Sequence, residues 1–175
     1  MRSSIGIRPL LRSFRFESGP PCGSESRHPE RRRPIAYVDA SVLLRLVLGQ
    51  PDALSEWSRI EVGVSSALIT IECLRTLDRL RLRMPLADAA IADHRAKTLE
   101  LIDSLELVDV DSVVLERAAQ PMPTELGTLD AIHLATALLW KEATAQRLTM
   151  ATHDVALGIA ARAHGLAVVG LRSEQ

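Results

Sequence analysis

The sequence predicts an α/β fold in three layers, α/β/α, around a central, mostly parallel sheet of about five short strands. Three observations carry this. Short runs of strand-forming residues without polar alternation recur along the chain, as in Ile35-Ala36-Tyr37-Val38 and Ala167-Val168-Val169, and unalternating strands belong to sheets buried on both faces. Helical patterns separate those runs. The 175 residues are 47% hydrophobic and 25% charged, the composition of one globular domain that needs no disulfide or metal to hold it.

Taken in order, the strand Ile35–Val38 ends at Asp39, and a helical pattern follows through Leu48 until Gly49 and Pro51 stop it. A short helix is predicted from Ala53 to Arg59 and a second strand from Glu61 to Val64. Ser66 has the chemistry of an N-cap for a long helix reaching Leu82. Pro85 suits the opening of another helix, through Ser104. Leu107–Val110 is a third strand, and Asp111 can cap a helix from Ser112 to Ala119. Gly127-Thr128 precedes an apolar helix from Leu129 to Glu142. Leu148–Thr152 is a fourth strand, followed by a helix from Asp154 to His164. Gly165 suits the left-handed position beyond it, and Ala167–Val169 is the last strand.

Residues 1–34 read differently. They carry eight Arg against three Glu, a net of +5, with Pro9, Pro20, Pro21, Pro29 and Pro34 among Ser and Gly. Three readings compete: a disordered extension or an early start codon, a targeting peptide, and a basic arm for RNA around Arg31-Arg32-Arg33. The predicted domain is 35–171, with 172–175 as a short tail. From residue 35 onward the chain holds 13 basic and 19 acidic residues, a net of −6, so its overall field does not attract nucleic acid. No apolar run approaches the ~20 residues of a membrane span. Cys22 and Cys73 lack C-x-x-C spacing, which disfavours a zinc site and fits a reduced, cytoplasmic protein.

Open parallel sheets bind ligands at the carboxyl ends of their strands. Asp39 follows the first strand, Asp154 follows the fourth, Asp130 lies in the first turn of a helix, and Glu72 lies two turns into the long helix. Strand ends and helix starts share one edge of such a sheet, so these acids can converge. Clustered carboxylates repel one another unless a cation joins them, and hard oxygen donors favour Mg²⁺ or Mn²⁺. Each acid taken singly has an ordinary structural reading. Asp39 and Asp154 can be helix caps, Asp130 can be an acid favoured by the helix dipole, and Glu72 can pair with Arg75 at i+3.

Four blocks change that balance. They are Y-V-D-A-S-V-L-L with Asp39 and Ser41, V-S-S-A-L-I-T-I-E-C-L-R with Glu72 and Arg75, T-L-D-A-I-H-L-A-T-A with Asp130, and M-A-T-H-D-V-A-L-G-I-A-A-R-A-H-G-L with Thr152 and Asp154. In this order, from Ile35 to Gly170, the chain resembles the PIN-domain ribonucleases and among them the VapC-type toxins of toxin–antitoxin pairs. The resemblance implies the three-layer PIN fold and a metal-dependent endoribonuclease leaving 5′-phosphate and 3′-hydroxyl ends. It also implies neutralisation by a small antitoxin encoded nearby, and a homodimer. Asp39 and Asp130 are then the expected direct ligands of one or two Mg²⁺ or Mn²⁺. Glu72 and Asp154 join them directly or through water, and Ser41 and Thr152 orient waters.

On the long helix, at about 100° per residue, Glu72, Arg75, Thr76, Arg79 and Arg83 fall within a stripe ~80° wide. Guanidinium groups suit phosphate, so the stripe reads either as a track for the RNA backbone, through Arg75 and Arg79 above all, or as a solvated face. His133 and His153 lie near Asp130 and Asp154 but lack a partner at ligand spacing. Asp109 and Asp111 read as turn and cap residues, and Trp57 and Trp140 as packing residues. Other phosphate chemistries lack their residues. A haloacid-dehalogenase-type phosphatase needs an Asp where Ser41 stands, and neither G-x-x-x-x-G-K nor G-x-G-x-x-G occurs. A non-catalytic RNA- or protein-binding module on the same fold is the remaining alternative.

Overall fold

The computed structural model describes residues 34–84 and 86–171. The predicted basic tail, apart from Pro34, therefore lies outside the described residues, as do Pro85 and 172–175. The elements run β1 (Ile35–Val38), α1 (Ala40–Val47), a 3₁₀ turn (Trp57–Arg59), β2 (Val62–Ser66), α2 (Leu68–Arg83) and α3 (Asp88–Asp103). They continue with β3 (Glu106–Val108), α4 (Ser112–Ala118), α5 (Thr128–Thr144), β4 (Thr149–Ala151), α6 (Val155–Ala163) and β5 (Ala167–Val169). Among the described residues no helix is long and apolar enough to cross a membrane.

The five strands form one parallel sheet in the order β3-β2-β1-β4-β5. This is the predicted three-layer fold. The chain builds outward from β1 to β2 and β3, then returns to place β4 on the other side of β1. The strand order therefore reverses between β1 and β4, and a crevice opens beyond their carboxyl ends, where such sheets place ligands. Tyr37 is the register point, opposite Val64 of β2 and Met150 of β4.

All four residues of β1 are buried, and their alternation divides the core. Ile35 and Tyr37 join Leu134, Leu138 and Trp140 of α5 and Leu157 of α6 on one face. Ala36 and Val38 join Leu43 of α1, Ile69 and Cys73 of α2, and Ile102 of α3 on the other. On α2 the inner residues Ile69, Cys73 and Leu77 are spaced four apart and fully buried, which turns the arginines of that helix outward. Each large aliphatic side chain buried this way stabilises the fold by about 1.5–3 kcal/mol. Trp140 packs in the core and Trp57 against it, as predicted.

The differences from the predicted elements are local. Ser66 does not cap α2. It pairs with Val108 of β3 and ends β2, so α2 begins at Leu68 with Ala67 at the cap position. The Ser66 hydroxyl still accepts the Leu68 N–H at 3.2 Å. The segment 53–59 closes as one 3₁₀ turn over Trp57–Arg59. Helix α3 begins at Asp88. Helix α5 runs two residues beyond Glu142, to Thr144, and Ala145 ends it in the left-handed conformation at φ 54°. Gly165 takes its expected positive φ, 72°.

Candidate active site

Asp39 leaves β1 and caps α1. Its Oδ2 accepts the Ser41 N–H at 3.3 Å, the Ser41 hydroxyl at 2.5 Å and the Thr152 hydroxyl at 3.0 Å. The two hydroxyls are themselves held. Ser41 Oγ accepts the His153 N–H and Thr152 Oγ1 accepts the Asp154 N–H, each at 3.0 Å. The loops after β1 and β4 are thus tied together through one carboxylate that is 6% exposed. Beyond β5, Gly170 sits so close that a Cβ there would lie 2.7 Å from the Thr152 carbonyl oxygen.

Asp154 caps α6 by accepting the Leu157 N–H at 2.8 Å. Asp130 stands in the first turn of α5, and Glu72 stands in the second turn of α2. Asp39, Glu72, Asp130 and Asp154 line one open pocket of about 460 Å³, together with Ser41, Arg75 and Arg79. Leu68, Ile71 and Leu129 supply its apolar wall. Ile71 and Leu129 are exposed there. Thr152 lies beneath, fully buried, and Arg83 does not reach the pocket. The remaining acids of α3 (Asp88, Asp93, Glu100 and Asp103) are exposed, and Asp111 caps α4.

The acids feel one another. Burial, then the charges of Asp154 and Asp39, and last that of Glu72, hold the Asp130 carboxyl above the ordinary carboxylate range, against the opposing effect of His133. Burial and then the charges of Glu72 and Asp39 push the Cys73 thiol up to about 12, so this buried residue is no nucleophile.

The residue that sequence reasoning undervalues is His133. It is fully buried on α5, its Nε2 lies 2.5 Å from Glu72 Oε2, and its Nδ1 lies 2.8 Å from the Tyr37 hydroxyl. Burial disfavours the imidazolium, but the hydrogen bond and charge of Glu72, with Asp39 and Asp130 behind, hold the His133 pKa above its ordinary value. Glu72 therefore does not pair with Arg75. Arg75 instead reaches Asp78 at 3.4 Å, and Arg79 reaches the Thr76 hydroxyl at 3.1 Å. The signal available in the sequence is a histidine inside an otherwise apolar helix, which as a buried polar group requires partners.

Does this donor set suit a divalent cation? Among the described residues, no three His, Cys, Asp or Glu side chains already form a metal-holding group. The chemistry of the set nonetheless fits a hard cation. The pocket offers carboxylate oxygens, and Asp130, raised first by burial and then by the charges of Asp154 and Asp39, sits among like charges that a cation relieves.

Comparison with known proteins decides the family. Residues 36–157 match the family described as PIN domain. The chain belongs to the PIN-domain family. Two curated relatives of this PIN domain are ribonucleases from Mycobacterium tuberculosis. Ribonuclease VapC46 of strain H37Rv is 36% identical over 141 residues, 76% of this chain and 95% of that protein. Ribonuclease VapC35 is 33% identical over 140 residues, 77% of this chain and 96% of that protein. Within its family the PIN domain is thus of the VapC type. The crystal structure of PAE2754 from Pyrobaculum aerophilum matches with a TM-score of 0.51 at 19% identity, covering 78% of this chain and 85% of that one, which shows the shared fold.

Proposed function

We propose that this PIN domain is a metal-dependent endoribonuclease of the toxin type, which hydrolyses RNA phosphodiester bonds and is neutralised by a cognate antitoxin. The observation that carries the reading is the meeting of Asp39, Glu72, Asp130 and Asp154 in one pocket whose mouth holds Arg75 and Arg79. The names of the VapC relatives support the same activity.

Asp39 and Asp130 are the residues assigned to hold Mg²⁺ or Mn²⁺, with Glu72 and Asp154 completing the set directly or through water. A divalent cation bound there supplies Lewis-acid stabilisation of charge on the scissile phosphate and a more acidic attacking water. Ser41 and Thr152 fix the Asp39 carboxylate by donating to Oδ2, so its orientation is set before substrate arrives. Arg75 and Arg79 are weakly engaged by Asp78 and Thr76 on an exposed face and are free to exchange those bonds for phosphate oxygens. The domain is acidic overall, so RNA must be drawn by this local row of guanidinium groups. The reading carries with it a small antitoxin encoded nearby, a homodimer, and action in the cytoplasm.

Incubation of the purified protein with structured RNA tests this reading. Cleavage is expected with Mg²⁺ or Mn²⁺ and none with EDTA. Asp39→Asn and Asp130→Asn should each abolish cleavage with the circular dichroism spectrum unchanged. Undiminished cleavage by the doubly substituted protein would reject the site. A non-catalytic RNA-binding module would bind the RNA and leave it whole.

A further inference from the structure

One continuous chain of hydrogen bonds runs from the backbone of β2 to the pocket. The Ser66 N–H donates to the Tyr37 hydroxyl at 3.0 Å. That hydroxyl meets His133 Nδ1 at 2.8 Å, and His133 Nε2 meets Glu72 Oε2 at 2.5 Å. Tyr37 and His133 are both fully buried, so water does not compete for these bonds. Four elements take part, β2, β1, α5 and α2, and α5 also carries Asp130 three residues before His133.

The chemistry of each link sets its direction. A tyrosine hydroxyl has one proton to give. An ionised Glu72 carboxylate can only accept, so in the neutral imidazole the ring proton sits on Nε2, facing Glu72, and the bare Nδ1 accepts the Tyr37 hydroxyl proton. In the imidazolium both nitrogens carry protons, so Nε2 donates to Glu72 in either state. Glu72 Oε2 is therefore engaged, and Oε1 is the oxygen its carboxylate can offer to the pocket. A glutamate has three rotatable bonds and, unheld on a pocket wall, would sample many directions.

We propose that His133, oriented by Tyr37, is a positioning residue that fixes the Glu72 carboxylate for the divalent cation. This inference rests on the ribonuclease reading for its purpose, but its geometry can be tested apart from cleavage. Partners of this kind, one step removed from a ligand, change metal affinity or activity by about 10–100-fold when removed.

The test measures Mn²⁺ affinity by electron paramagnetic resonance, alongside steady-state RNA cleavage, in full-length protein. His133→Leu should weaken Mn²⁺ binding and lower kcat by about 10-fold or more, with KM for RNA changed by less than about two-fold. His133→Gln, whose side-chain amide nitrogen can occupy the place of Nε2, should recover most of both. Combined with Glu72→Gln, His133→Leu should cause no further loss, because its effect passes through Glu72. Nitrogen NMR of the wild-type imidazole, which needs no variant, should find Nε2 protonated. Tyr37→Phe should perturb that signal. Wild-type affinity in a folded His133→Leu protein, full additivity with Glu72→Gln, no recovery by His133→Gln, or a proton on Nδ1 alone would each overturn the proposal. Absence of RNA cleavage by the wild type with the Mn²⁺ pattern intact would remove the ribonuclease reading and leave the positioning role standing.

Discussion

Thr152 donates a 3.0 Å hydrogen bond to Asp39 across 113 residues of chain, onto the same oxygen that Ser41 engages. The contact joins the ends of β1 and β4, the two strands between which the sheet reverses its order. Thr152 also accepts the Asp154 N–H, so one buried hydroxyl orients a carboxylate and anchors the start of α6.

Thr152→Val keeps the shape and removes both bonds. It should cost about 1–3 kcal/mol of stability, since the buried Asp39 carboxylate loses one donor and the partly buried Asp154 N–H loses its acceptor. Cleavage should fall by about 10-fold through misorientation of Asp39. Urea denaturation and steady-state kinetics on the same preparation check the two effects. A stable variant with wild-type kcat would show that Asp39 needs no such support.

The pH dependence of the metal-free protein follows from two shifts of the same sign. Asp130 lies above its reference value of 3.8, through burial and then the charges of Asp154 and Asp39. His133 lies above its reference of 6.5, where burial opposes the shift and Glu72 drives it. Both groups hold a proton more tightly in the folded protein than in the unfolded chain. Each contribution is thus fully present below the unfolded pKa and is lost as pH rises through the folded one. Asp130→Asn should flatten the fall that begins near pH 4, and His133→Gln the fall that begins near pH 6.5. At neutral pH without metal, Asp130→Asn should melt above the wild type, and millimolar Mg²⁺ should raise the wild-type melting temperature. Thermal melts at several pH values, with and without Mg²⁺, provide the check. A wild type that melts identically with and without Mg²⁺, and identically to Asp130→Asn, would reduce these acids to helix-end residues.

Arg79 at the pocket's edge and Arg83 beyond it continue the exposed face of α2. Removing both should weaken RNA binding with little regard to sequence. The slope of log affinity against log salt should flatten by about one phosphate contact per arginine. Arg75 stands at the pocket itself, so Arg75→Ala should lower the cleavage rate as well. Fluorescence anisotropy across a salt series, for the wild type and the Arg79/Arg83 double alanine, decides the matter. Equal affinities with equal slopes would return the row to ordinary surface, where such charges contribute about 0–1 kcal/mol.

The fold is legible in the sequence because hydropathy marks boundaries. Val38 gives way to Asp39, and Ala151-Thr152 to Asp154, so the residue pattern alone places these acids at strand ends. What one strand or helix says about itself is readable. What it says about a partner far along the chain is not. Glu72 has an obvious neighbour in Arg75 at i+3, yet its partner is His133, 61 residues away. No spacing rule reaches that far, because the sheet order, and not the sequence interval, brings α2 and α5 together. Ser66 departs from its expected place for a related reason. Its capping chemistry is local, but pairing with Val108 extends the strand and delays the helix.

The span of these contacts bears on how the protein comes into being. Tyr37 and His133 are 96 residues apart, and Asp39 and Thr152 are 113 apart. A nascent chain that has released β1 and α2 from the ribosome owns Asp39 and Glu72 but lacks Asp130, His133, Thr152 and Asp154. Long-range pairing of this kind forms slowly, and here it closes only when β4 docks beside β1. Under the ribonuclease reading, incomplete translation products and proteolytic fragments ending before Asp130 are harmless to the cell that makes them. On that reading activity arrives as a single late event, once α5 and β4 have joined β1 and α2.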